Sequence, residues 1–359
     1  MMFRRKRGWI GIDFGDRALK VAQVVREAGR MRIAHSALMW RPAGTAQGGG
    51  GADRSGWSSQ DIAAALALDF GLSGRQAACM LPMECSELCA VSIPPGSPEE
   101  RRATVADELA QRYPDDAATR AFVYWDCPVP ASQGAGPREN TLVLTAPREL
   151  VTGMAEQLAE ARLACQVMDG PPFVLARAAA MAFPGSTDEA VGVVEWGYSS
   201  STFCISRQGY PQYTRHLRNC GAGQLVEAVG HALNLREDES IELVFGCGLD
   251  GAGPGGRDEQ VTAILAEIAT PVFGSLAEEI RKTLTYVEMQ YPDLLPSWLC
   301  LLGDGATVDG AARALSENLE MPVRLWQMAS EGMAQHPSHA APQPLLAAAA
   351  ALSVLAWTS

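Results

Sequence analysis

The sequence contains no hydrophobic run approaching the roughly 20 residues that a membrane-spanning helix needs. Its terminal apolar stretch, Leu345 to Trp357, has 13 residues and reads as a buried, Ala-rich helix. Cations are also scarce, with 29 Lys and Arg against 41 Asp and Glu, giving a formal charge of -12. A surface of that sign repels a phosphate backbone, and no long basic stripe offsets it, so nucleic acid is not an expected partner. The nine cysteines are odd in number and lack CxxC or zinc-like spacing. Neither a disulfide framework nor a metal site is signalled, and a reducing cytoplasm fits best. Of five histidines, only His336 and His339 stand close together, without a cysteine or carboxylate cluster, and they read as solvated loop residues. The tetraglycine Gly48 to Gly51 lacks the Lys-Ser/Thr ending of a P-loop, so residues 41 to 56 read as a flexible linker. The one basic run, Arg4-Arg5-Lys6-Arg7, is followed by an apolar stretch that Asp13 cuts short, which argues against a signal peptide. It reads as a solvated tail, with a membrane-surface contact as the alternative.

What is present is the composition of a globular protein, 47% apolar and 19% charged, in a chain of 359 residues. That length exceeds what one hydrophobic core usually serves, so two lobes are expected. Trp9 to Ile12, Ala18 to Val25 and Met31 to Met39 form an opening β-meander. Ser58 to Asp61 offers a capping-box start for a helix. After a strand at Ala77 to Met80, residues 85 to 168 read as an inserted small α/β subdomain. Pro171-Pro172 opens another helix. Residues 1–84 and 169–190 then make up the first lobe and residues 191–359 the second.

The carboxylate-aromatic-Gly turn Asp13-Phe14-Gly15 recurs as Glu195-Trp196-Gly197 at one constant offset, each after an apolar strand. Glycine lets a backbone approach a phosphate and present its N–H groups, and a nearby carboxylate orients a magnesium ion through water. Gly303-Asp304-Gly305-Ala306 joins the strand Trp298 to Leu302 to a helix, and Gly221-Ala222-Gly223 also precedes a helix. Both offer the strand, glycine turn and helix N-terminus of a nucleotide contact.

Together these segments resemble the actin, Hsp70 and sugar-kinase superfamily, and within it the PilM branch related to FtsA. Ile10 to Gly15 with Lys20, Val167-Met168-Asp169 leading to Leu175 to Ala178, Tyr213-Thr214-Arg215 before Gly221, the helix Glu279 to Tyr286 and the Ala-rich terminal helix carry the likeness. It implies an α/β, actin-like (ribonuclease H-like, duplicated) two-lobed fold with an FtsA/PilM-type inserted subdomain. It implies ATP and Mg between the lobes. Asp13, Gly15, Asp16, Arg17 and Lys20 would form the first phosphate loop, with Glu195, Gly197 and Ser199 in the second. Gly221, Gly223, Glu278, Lys282, Gly303, Asp304, Gly305 and Ala306 would surround the rest of the nucleotide. Asp13 and Glu195 would hold Mg through water. The resemblance also implies a cytoplasmic scaffold, peripheral at the inner membrane of a type IV pilus or type II secretion platform. It would hold the N-terminal cytoplasmic peptide of a PilN-like membrane protein, with self-association a further expectation. Alternatives on the same fold are a small-molecule kinase and an FtsA-like filament former.

Three positions depart from the family pattern. Asp16-Arg17 stands where small hydroxyl residues are usual, Glu195 replaces aspartate, and Asp304 replaces a glycine. All three add acid or reach near the phosphates, and no residue stands out as a water-activating base. The expectation is a weak ATPase at most.

Overall fold

The computed structural model describes residues 6–27, 29–41, 56–126, 141–185, 188–250, 259–328 and 342–357. Most of the glycine-rich linker and both loop histidines, His336 and His339, lie outside these residues.

The chain opens with β1 (Lys6–Arg7), β2 (Ile10–Phe14), β3 (Ala18–Glu27) and β4 (Arg30–Trp40), the meander read from the sequence. Helix α1 (Ser59–Ala67) begins where Ser58 and Asp61 form the expected capping box, and β5 (Gln76–Met80) follows. The insertion contributes β6 (Glu87–Val91), α2 (Pro98–Arg112), β7 (Arg120–Asp126) and β8 (Thr141–Pro147). Ser97 and Glu100 cap α2 reciprocally, and Pro98 supplies its first turn. Then come α3 (Arg148–Glu160), β9 (Ala164–Asp169) and α4 (Pro171–Ala182). The second half contains β10 (Val191–Trp196), β11 (Ser201–Arg207), β12 (Tyr210–Leu217), α5 (Gly223–Leu233), α6 (Glu237–Cys247) and the long α7 (Glu259–Gln290). It closes with β13 (Leu299–Leu302), α8 (Ala311–Leu319), β14 (Val323–Leu325) and α9 (Ala347–Ser353).

Two sheets repeat one topology. In lobe I, β3 lies between β4 and β2, and the order continues through β5 to β9; in lobe II the order is β12-β11-β10-β13-β14. The central strands pair alike. Asp13 stands opposite Lys20 across the first hairpin, and Glu195 stands opposite Thr202 across the second. On their other sides β2 and β10 pair in parallel with β5 and β13. β13, buried on both faces, is a continuous apolar run, as a parallel strand covered by helices requires, and β2 is apolar except for Asp13.

The lobes exchange helices. α9, at the end of the chain, packs on β2, β3 and β5 of lobe I, whereas α4 packs on β10, β11 and β12 of lobe II. The two helices touch each other, and the Trp326 indole donates to the Ala178 carbonyl at 2.7 Å. Gly11 permits the close approach, because a Cβ there would stand 1.9 Å from the Ala349 carbonyl oxygen. Residues 171–182, read from the sequence with the first lobe, are thus seated on the sheet of the second.

The insertion is a three-stranded antiparallel sheet, β6-β8-β7, packed on α2 around Val91, Val105, Leu109 and Val143. It is narrower than the 85–168 expected from the sequence. Leu150, Met154 and Leu158 of α3 belong to the lobe I core, and β9 completes the lobe I sheet. Apolar periodicity shows that α3 has a buried face but not which sheet receives it.

Only α7, among the described residues, is long and apolar enough by length and composition to cross a membrane. Here its Leu265, Ala269, Phe273, Leu276 and Ile280 lie in the lobe II core, and its opposite face carries Glu278, Arg281 and Lys282.

Candidate functional site

The two β-hairpin turns face each other across an interlobe cleft of about 380 Å³. That volume falls within the ~300–1,000 Å³ of small-molecule sites. Its walls include Asp13, Asp16, Glu84, Glu195 and Asp304, with Lys20 as the cation among them. In the first turn, the Gly15 N–H donates to the Ala18 carbonyl at 3.1 Å, and a Cβ on Gly15 would sit 2.9 Å from Lys20 Nζ. In the second, a Cβ on Gly197 would sit 2.7 Å from the Ser200 carbonyl oxygen. Both glycines are required by the tightness of the turn.

Lys20 projects from β3 into the floor of the cleft. Its ammonium lies 3.3 Å from the Asp13 carboxylate and donates to Asp304 Oδ2 at 3.0 Å, all three residues being buried. Burial works against the charge on Lys20, but Asp13, Asp304 and Glu195 outweigh it and hold its pKa above the ordinary value. Burial raises the Asp13 carboxyl, with Lys20 opposing and Asp304 reinforcing. Asp304 Oδ1 is buried without a hydrogen-bond partner.

Glu195 lies beside this group, and burial together with the nearby Asp13 carboxylate pushes its pKa up to about 8. At neutral pH the Glu195 carboxyl therefore carries a proton. Burial likewise raises Asp16, while the hydroxyl of Ser199 in the facing turn opposes the shift.

Glu84 is the counterpart of Asp304. Each sits in the short 3-10 turn that follows its lobe's parallel strand, at Met83–Cys85 and at the edge of Gly305–Thr307. Asp304 of lobe II reaches Lys20 in lobe I, and Glu84 reaches back. The Ser200 hydroxyl donates to Glu84 Oε1 at 2.5 Å, and His216 Nε2 lies 3.5 Å from the same oxygen. Burial alone would raise the Glu84 carboxyl, but His216 and Ser200 outweigh it and hold the pKa at about 2. Arg17 makes a third crossing, with its guanidinium 4.8 Å from the Trp40 ring in lobe I and 5.4 and 5.1 Å from Tyr198 and Phe245 in lobe II.

Of the residues singled out in the sequence, Asp13, Gly15, Asp16, Lys20, Glu195, Gly197 and Asp304 line the cleft together. Gly221 and Gly223 are close behind the second turn. The N–H groups of Ala222 and Gly223 donate to the Gly197 and Tyr198 carbonyls at 2.9 and 2.8 Å, so these amides are engaged within the protein. Gly303 and Gly305 serve packing: a Cβ on Gly305 would stand 2.1 Å from the buried Trp196 ring. Ala306 is buried in the lobe II core. Glu278 and Lys282 stand outside the cleft lining, paired on α7 with Arg281 and Glu279. Glu279 is also held by Arg215 at 2.6 Å. Glu84, Ser200, Thr202 and His216 are additions that sequence reading missed. The constant offset between the two turns already placed Ser200 opposite Ala18 and Thr202 opposite Lys20, but Glu84 and His216 carry no local signal.

The donor set fits a magnesium–nucleotide better than a nucleotide alone. The acids Asp13, Asp16, Glu84 and Asp304 against one lysine repel free polyphosphate, whereas the unpartnered Asp304 oxygen and the Asp13 carboxylate are hard oxygen donors of the kind a divalent cation seeks. Among the described residues, no group of three or more His, Cys, Asp or Glu is placed to hold a metal ion by itself.

No protein-family model and no curated protein matches the sequence. Among solved structures, the chain is similar to the PilM-PilN type IV pilus biogenesis complex, with a TM-score of 0.76 and 21% identity over 97% of this chain and 98% of the other. It is similar to the ethanolamine utilization protein EutJ from Carboxydothermus hydrogenoformans, with a TM-score of 0.56 and 16% identity over 97% and 89% of the chains. A third similar structure is MreB5 of Spiroplasma citri bound to ADP, with a TM-score of 0.53 and 8% identity over 98% and 97%. The fold is actin-like, two-lobed and α/β, with the architecture of PilM.

Proposed function

We propose that this chain is an actin-like cytoplasmic scaffold of an inner-membrane assembly platform, of a type IV pilus or a type II secretion system. Its partner is the N-terminal cytoplasmic peptide of a PilN-like membrane protein. The observation that carries this reading is the superposition on the PilM-PilN complex along almost the full length of both chains. The three-stranded insertion in lobe I supports it, since a small α/β subdomain whose described sheet ends at β6 and β7 suits a peptide-binding role.

In this reading the cleft holds ATP with Mg. Asp13, Asp304 and, once deprotonated, Glu195 face the hydrated cation, and Lys20 faces phosphate oxygens. Bound magnesium supplies charge neutralisation for the phosphates. Hydrolysis is weak in this reading, because Glu195 is committed to the hydrated cation and Glu84 is fixed by Ser200 and His216, which leaves neither free to accept a proton from water.

Titration calorimetry with the N-terminal cytoplasmic peptide of a PilN-like membrane protein from the same genome tests the scaffold reading. Saturable binding at micromolar peptide supports it, and absence of heat with a correctly folded protein refutes it. ATP consumption with a metabolite panel would instead favour a small-molecule kinase, and nucleotide-dependent pelleting a filament former.

A further inference from the structure

The end of the lobe I sheet farthest from the cleft concentrates positive charge in an otherwise acidic chain. Lys6 and Arg7 pair there with Arg26 and Val25, and Arg30 and Arg32 pair with Glu27 and Val25 across the next strand. Arg75 precedes β5 where its carbonyl accepts from the Ala164 N–H at 2.6 Å, which brings Arg162 to the same end. Seven cations, Lys6, Arg7, Arg26, Arg30, Arg32, Arg75 and Arg162, thus share a region in a chain whose formal charge is -12. Arg7 is held by neutral groups, the Gly71 carbonyl and the Ser73 hydroxyl, so its charge is not cancelled there.

Beside it lies an exposed apolar tip. Phe70 is 95% exposed and Leu68 59% exposed, in the turn between α1 and the Gly71 carbonyl that receives Arg7. The turn is anchored, because Asp69 accepts from the Ser36 and Gly71 N–H groups at 3.0 and 2.8 Å. A fixed turn that holds Phe70 and Leu68 side by side in water gains free energy when an apolar medium covers them. Between the tip and the end of the chain opens a hollow of about 540 Å³ lined by Lys6, Arg7, Trp9, Gln23, Ser73 and Trp357. Its floor is rigid, since the Gln23 amide donates to the Gly8 and Ser73 carbonyls at 3.0 and 2.8 Å.

We propose that this end of lobe I docks directly on an anionic phospholipid bilayer. Phe70 and Leu68 enter the headgroup boundary, Trp9 and Trp357 lie at headgroup level, and the cations engage lipid phosphates. Tryptophan and basic side chains beside an exposed apolar tip are the combination that an interface rewards. A nucleic-acid backbone would match the charge but would leave Phe70 and Leu68 in water. The contact is independent of the partner peptide and of the cleft, so its test stands apart from theirs.

The purified full chain is sedimented with vesicles of phosphatidylcholine alone and with vesicles containing about 30% phosphatidylglycerol, without any partner. The expected result is pelleting with the anionic vesicles only, weakening as the screening length falls from about 10 Å at 0.1 M salt to about 3 Å at 1 M. Arg26→Glu with Arg75→Glu lowers the affinity at least about tenfold, since each basic residue near a membrane adds a several-fold factor. Phe70→Ser reduces binding at unchanged charge while leaving the melting temperature of this exposed site unmoved. Equal pelleting with both vesicles, no pelleting with either, or tighter association with a short DNA duplex than with anionic vesicles overturns the proposal.

Discussion

Asp304 and Glu84 occupy matching turns in opposite lobes, and each reaches across the cleft, Asp304 to Lys20 at 3.0 Å and Glu84 to Ser200 at 2.5 Å. This reciprocal crossing follows from the duplicated fold. The turn after each parallel strand ends beside the hairpin of the other lobe, so an acid placed there meets that hairpin's side chains. It also makes closure of the cleft depend on ionic groups, which gives it measurable pH and mutational signatures.

Lys20→Met leaves the buried Asp13 carboxylate and the Asp304 carboxylate facing each other without a cation. Removing one member of such a group costs about 3–5 kcal/mol at neutral pH. Acidification that protonates Asp13, whose carboxyl is already raised by burial, recovers part of the loss. Chemical denaturation of both proteins at pH 7 and pH 5 measures it; a pH-independent difference contradicts the pairing.

Asp304→Asn keeps the shape of the turn and removes one negative charge from the cleft. It is expected to lower the thermal midpoint of the apo-protein, because Lys20 loses a partner, and to shrink the midpoint rise caused by Mg-ATP, because the hydrated cation loses a carboxylate. Thermal-shift titrations with and without magnesium test both halves. If millimolar Mg-ATP shifts neither protein, nucleotide binding in this cleft is refuted.

Glu195 has a folded pKa of about 8 against an ordinary 4.5. The native state holds a proton that the unfolded chain has released, so this group's contribution is full below about 4.5 and is lost as the pH rises through about 8. Glu195→Gln mimics the protonated form at every pH. Relative to the parent, the variant therefore gains stability progressively as the pH rises from about 4.5 to about 8. Denaturation across that range measures the gain, and parallel stability curves would refute it.

Glu84 works in the other direction, its pKa being held at about 2. Its contribution is present above the ordinary value of 4.5 and disappears as the pH falls through about 2. A double-mutant cycle of Glu84→Gln and Ser200→Ala at pH 7 is expected to give a coupling of about 1 kcal/mol, modest because the Glu84 side chain is 48% exposed. Additivity of the two changes would mean that the interlobe hydrogen bond carries no stability.

Gly305→Ala drives a methyl group to 2.1 Å from the Trp196 ring, in a site with no room to yield. A loss of about 3 kcal/mol is expected from overpacking. Gly153, inside α3, has open space around it, and Gly153→Ala should instead stabilise by about 0.5–1 kcal/mol. Calorimetric melting of both variants distinguishes a glycine required by packing from one that is not.

The sequence by itself determined the two hairpins, the glycines that tighten them and the existence of an insertion. These rest on local chemistry: strand patterning, turn residues and caps act over a few positions, and a duplicated turn is visible at its constant offset. Tertiary structure alone decided which helix covers which sheet, since the apolar faces of α4 and α9 fit either lobe by composition. It also decided that Gly303 and Gly305 serve Trp196, that Glu278 and Lys282 stand off the cleft, and that Glu84 and His216 belong at it. Side chains 132 positions apart in the chain meet there only because two lobes close on each other, and long-range pairings of that kind have no local signature.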